Sequence, residues 1–186
     1  MHPLQSFSGV AIPPLEGRVF AIEGDPAAIR LARQIVRALG GLPVQIAGGS
    51  KALYHAAAAF AAGHVLAVEE SATRLLMLAG MKRGEAVRAL LQLTRQVLEN
   101  LERLGPRAAW TGPLARGDYG VVEAHLAALK RLPREFSNAY AALNGLATLV
   151  LSPGSARNLT ALNGDSRNKI SLVKPLVRHR SVGGKG

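Results

Sequence analysis

Apolar residues recur along this chain with two periods, first over a short β-α-β stretch and then over four long helical ones. The run Arg18-Val-Phe-Ala-Ile22 is β-type and is followed by Glu23-Gly24 and then Asp25-Pro26. An N-cap side chain with proline at the first helical position predicts a helix start. Ile29, Ala32, Ile35, Val36 and Leu39 then keep three- and four-residue spacing up to the stop Gly40-Gly41, and Pro43-Val-Gln-Ile46 reads as a second short strand. Two strands do not make a stable sheet alone, so this segment is expected to edge something larger or to pack on helices. Beyond Ala47-Gly48-Gly49 the period is helical throughout. Ser50 is the expected N-cap of a long Ala-rich helix running to about Leu78 and bent near Gly63. Further helices are expected over Arg83 to Leu104, Tyr119 to Leu132 and Glu135 to Leu151, closed by Gly105-Pro106, Pro133 and Ser152-Pro153-Gly154. The expected class is mainly α, a helical bundle preceded by a small β-α-β unit.

Composition narrows the chemistry. The 186 residues are 48% hydrophobic and contain no cysteine, which excludes disulfides, thiolate metal sites and a cysteine nucleophile. A cytoplasmic setting fits. The apolar stretch Ala56 to Val68 is interrupted by His64 and is too short to span a bilayer, so no membrane partner is expected. The formal charge of +11 is concentrated at the C-terminal end. From Ser152 to Gly186 there are seven cations against Asp165, a net +6 that leaves +5 for the other 151 residues. The aromatic residues are not interleaved with basic ones as a base-stacking platform requires, which argues against nucleic acid as a partner. Residues 152–186 read as a basic, disordered tail.

Four stretches carry a resemblance: His2-Pro-Leu-Gln-Ser-Phe7, Phe20-Ala-Ile-Glu-Gly-Asp25, Lys51-Ala-Leu-Tyr-His-Ala-Ala-Ala58, and Thr111-Gly-Pro-Leu-Ala-Arg-Gly-Asp118 with His125. In this order and spacing they resemble the NAD(P)-dependent oxidoreductases that have a Rossmann-like domain followed by a C-terminal helical domain of unknown function, DUF2520. The resemblance implies that residues 1–48 are the residual edge of the Rossmann-like domain. It further implies that 49–151 form a helical domain of the 6-phosphogluconate dehydrogenase C-terminal-like kind, which supplies homodimer contacts and one wall of a cleft. NAD(P) is the cofactor of the intact family, with His2 and Pro3 on the cofactor side. Two departures stand out. No G-x-G-x-x-G follows a strand, so the chain alone is expected to bind no cofactor and to need a Rossmann-type domain as partner. Gly63 stands where family members carry asparagine, and His64, nine residues from His55, falls on the opposite face of a regular helix.

Lys51 and His55, at i and i+4, share one helix face with Tyr54 beside them. A lysine desolvated at a domain junction can exchange a proton with a substrate hydroxyl or carbonyl, and the resemblance implies that role for Lys51 with His55. The alternative is a first-turn lysine in solvent over a packed His55 and Tyr54. The loop Thr111 to Asp118 gathers a hydroxyl, glycine amides, a guanidinium and a carboxylate, so Thr111, Arg116 and Asp118 are candidate substrate contacts together with Tyr54 and His125. Against this, Asp118 would cap the next helix, Arg116 would pair locally, and His125 would be a buried structural histidine. The five histidines show no ligand spacing and no metal site is expected. The leading expectation is therefore the helical part of an oxidoreductase acting on an unidentified small molecule, inactive alone. The rivals are a non-catalytic helical dimerisation module and a binder of nucleic acid or anionic surfaces through the tail.

Overall fold

The computed structural model describes residues 1–152, so the basic tail expected over 152–186 lies, beyond Ser152, outside the described residues. The chain divides into two compact units, Met1–Ala86 and a second beginning at Val87. The fold is mainly α with a small sheet at the N-terminal end.

In the first unit the sheet has three strands where the sequence pattern showed two. They are β1 (His2–Pro3), β2 (Val19–Ile22) and β3 (Leu42–Gln45), in the order β1-β2-β3. The extra strand is only two residues long and carries a proline, too little to produce a period. It pairs antiparallel with β2, His2 opposite Ala21 and Pro3 opposite Phe20. β2 and β3 are parallel, Val19 opposite Leu42 and Ile22 opposite Gln45. The crossover between them is α1 (Pro26–Ala38), whose N-cap Asp25 accepts the Ala27 and Ala28 amides at 2.9 and 2.8 Å. Phe20, Ile22 and Val36 are buried, and Leu15, Ile29 and Ala32 pack against them, so this α1 face closes over β2. The Gly40-Gly41 stop is required on both counts that single out glycine. Gly40 has φ +71°, and a Cβ on Gly41 would lie 2.7 Å from the Phe20 ring.

The predicted long helix is continuous from Lys51 to Leu78 and is not sharply broken at Gly63. It consists of α2 (Lys51–Ala59), a π turn over Phe60–His64, and α3 (Val65–Leu78). Ser50 stands at the N-cap position but makes no side-chain capping bond. The π turn takes up an extra residue, which carries His64 back from the face opposite His55 by up to about 100°, the rotation of one α-helical residue. By length and apolar composition this helix could cross a bilayer. At both ends, however, it is tied to protein: Tyr54 and His55 contact His2, and Glu70 bonds Arg83. Helix α4 (Arg83–Leu104) follows, and its first turn is clamped by Glu70, whose carboxylate meets Arg83 at 2.8 Å and Arg74 at 2.9 Å.

The second unit contains two one-turn helices, α5 (Pro106–Ala109) and α6 (Pro113–Arg116), inside the segment expected to be irregular. They lead into α7 (Tyr119–Leu129) and α8 (Arg134–Leu151), which pack on each other with Val122 and Leu129 buried. Many leucines on α4 and α8 stay exposed, among them Leu93, Leu98, Leu143 and Leu149.

The Arg83 guanidinium, and after it Arg74, hold the Glu70 carboxyl down at about 2. A depressed carboxyl stabilises the fold above the ordinary carboxyl range and loses that contribution as protons bind on the way down. The thermal midpoint of the wild type should therefore fall between about pH 4.5 and 2 more steeply than that of Glu70→Gln. Parallel pH profiles of the two proteins would exclude the clamp.

Candidate functional site

In open α/β sheets ligands bind beyond the carboxyl ends of the strands. Here β2 and β3 end at Ile22 and Gln45, and the antiparallel β1 brings His2 to the same end of the sheet. Glu23, next after β2, accepts the Gly49 amide with its carboxylate, which ties the loop after β3 to the end of β2. That loop delivers Lys51 as the first residue of α2. Three rings then meet. His2 and His55 are T-shaped with centroids 4.5 Å apart, His2 and Tyr54 are 5.6 Å apart, and Tyr54 and His55 are 5.7 Å apart. The Tyr54 hydroxyl donates to the His2 carbonyl at 3.3 Å.

Burial pushes the His2 imidazole below its ordinary 6.5, and His55 and Lys51 push it further by proximity of positive charge. Its Nδ1 is buried with no hydrogen-bond partner. Burial also raises the Tyr54 hydroxyl, which stays protonated and able to donate. Lys51 and His55 are exposed, with Tyr54 and His2 half-buried beneath them. Sequence reasoning placed Lys51, Tyr54 and His55 together from helical spacing. The structure brings His2 to them, through the pairing of β1 with β2 and a hydrogen bond from Tyr54 fifty-two residues away, which no local period reveals.

The second-unit candidates form two local arrangements. Arg116 Nε meets Asp118 Oδ2 at 3.0 Å, so the expected local pairing is present, and Gly117 closes α6 with φ 76°. Asp118 stands at the N-cap of α7 without capping it, because its carboxylate is turned to Arg116. Thr111, just before α6, is exposed. His125 is exposed as well, not buried as its structural reading required, and its Nδ1 lies 2.8 Å from the Tyr140 hydroxyl. Tyr140 was not among the sequence candidates. Its only sequence signal is that it is the single tyrosine of α8. Among the described residues no group of three or more His, Asp or Glu is arranged to hold a metal.

A nitrogen NMR titration should give His2 a midpoint below 6.5, moving upward in His55→Ala and in Lys51→Met. Because the folded state then binds fewer protons than the unfolded chain, the His2 contribution to stability is present above pH 6.5 and declines as pH falls below it. A midpoint at or above 6.5, insensitive to both substitutions, contradicts the cluster.

Comparison with known proteins gives a consistent picture. Protein TM1727 from Thermotoga maritima superposes with TM-score 0.67 at 25% identity, covering 85% of this chain and 61% of its own. A Bacteroides fragilis protein, BF3122, whose name gives it provisionally as an NADP oxidoreductase, superposes with TM-score 0.64 at 23% identity, over 76% of this chain and 53% of its own. This chain therefore spans less than two thirds of either neighbour. No curated protein matches it. The family described as Domain of unknown function (DUF2520) matches residues 18–146, from the start of β2 to near the end of α8, and the chain belongs to that family.

Proposed function

We propose that this chain is the helical, substrate-side part of an NAD(P)-dependent oxidoreductase. The observation that carries the reading is the convergence of Lys51, Tyr54, His55 and His2 at the carboxyl end of β2 and β3, where open α/β sheets bind ligands. The name of the Bacteroides fragilis neighbour supports the reaction class, and its fold is shared. In this reading Lys51 protonates the substrate oxygen and His55 and Tyr54 orient that oxygen. His2 and Pro3 face the cofactor side, and within the second unit Thr111, Arg116, Asp118 and His125 are candidate ligand contacts in their own right.

The residues present do not fit the cofactor's pyrophosphate. A dinucleotide fold offers phosphate the free amides of a strand-to-helix turn. In the β2–α1 turn those amides are taken by the Asp25 carboxylate, which would also repel a phosphate. The cofactor would have to be held by a separate Rossmann-type domain, and the chain alone would turn over nothing. The exposed leucines of α4 and α8, with Leu53, Phe60 and Leu66 on the long helix, support self-association through the helical part as a homodimer. Sedimentation should show a dimer at micromolar concentration, and a monomer there would remove that part of the reading.

Joined to a Rossmann-type nucleotide-binding domain, the chain should support NADPH oxidation by a small carbonyl compound. Lys51→Met should lower kcat by about 10²–10⁴-fold, the range of general acid–base catalysis, with KM little changed. An unaltered kcat would take Lys51 out of proton transfer. Turnover absent with every carbonyl tried would instead favour a non-catalytic dimerisation module.

A further inference from the structure

His125 and Tyr140 lie on α7 and α8, the two helices that pack together in the second unit. Their rings meet edge to face with centroids 5.9 Å apart, and Nδ1 and the hydroxyl oxygen are 2.8 Å apart. That distance is short enough for a full hydrogen bond. Its direction follows from what each partner has to give. A phenol carries one proton, and among the described residues the Tyr140 hydroxyl makes no other hydrogen bond, so Nδ1 is where that proton can be donated. With that proton donated, Nδ1 is the acceptor and a neutral ring carries its own proton on Nε2.

Nε2 is differently placed. It makes no hydrogen bond among the described residues, and the histidine as a whole is exposed. A half-buried tyrosine thus grips the inner edge of the ring and leaves the outer edge open. A histidine serving only to staple the two helices would need no free edge.

We infer that Tyr140 is a positioning residue that holds His125 as the neutral Nε2–H tautomer, making it a hydrogen-bond donor to an oxygen acceptor of the ligand. The chemical class it fits is a carbonyl or carboxylate oxygen, because a neutral Nε2–H can donate to either and cannot accept. This rests on the proposed substrate-side role of the α7 face, but its test does not depend on turnover.

Long-range proton–nitrogen correlation spectra of the full chain, recorded at a pH where histidine is neutral, report which ring nitrogen carries the proton. The expected result for His125 is a proton on Nε2 and an acceptor signature on Nδ1. Tyr140→Phe should keep the helical circular dichroism while the His125 nitrogens move towards the averaged pattern of an unconstrained histidine. Acylation of His125 by diethyl pyrocarbonate, which attacks the unprotonated nitrogen, should become severalfold faster once Nδ1 is uncovered. A wild-type proton on Nδ1 overturns the inference. So does a Tyr140→Phe protein with unchanged nitrogen shifts and acylation rate. If that variant fails to fold, the wild-type tautomer decides alone. Loss or retention of the Lys51 effect on kcat leaves all of these readouts unmoved, so the two readings fail separately.

Discussion

Strand β2 is the constraint on which the first unit depends. Its Phe20, Ala21 and Ile22 are buried, and it is paired on both sides, antiparallel to β1 and parallel to β3. Burying an aliphatic or aromatic side chain of this kind contributes roughly 1.5–3 kcal/mol, so Phe20, Ile22 and Val36 give this small sheet most of its grip. Position follows from that grip. The end of β2 fixes Glu23, Glu23 fixes Gly49, and two residues later α2 begins with Lys51. On the other side the same strand fixes His2. Tyr54 and His55 meet His2 because both routes start from one strand.

The helices and the β-α-β unit were legible because their apolar periods are long. Asp25-Pro26 and Gly40-Gly41 marked the two ends of α1, and the structure gives the reason, an Asp25 cap at one end and a Phe20 contact at the other. What the pattern missed was short or out of phase. β1 has two residues, α5 and α6 have four each, and all are set by pairing partners or prolines and not by period. The π turn defeated the phase count directly, since a reading of 100° per residue carries no extra residue at Phe60–His64. The extent of apolar exposure on α4 and α8 also could not be read from sequence, because a helical stripe is written identically whether its partner is in the same chain or another.

The candidate site was half legible for the same reason. Lys51, Tyr54 and His55 are neighbours by helical geometry, and Arg116 and Asp118 are neighbours in sequence. His2 enters only through tertiary pairing, and Tyr140 only through the packing of α7 on α8. Asp118 shows how two local rules compete. Its position favours capping α7, yet the carboxylate bonds the guanidinium two residues away and leaves the helix amides uncapped.

In the proposed function Lys51 and His55 act on one substrate oxygen as a unit. A double-mutant cycle on kcat tests it most directly, with Lys51→Met, His55→Ala and the pair measured in the chain joined to a Rossmann-type domain. Groups that act as a unit are strongly non-additive, so the double variant should be scarcely slower than Lys51→Met alone. Two independent losses that simply multiply would contradict the claim.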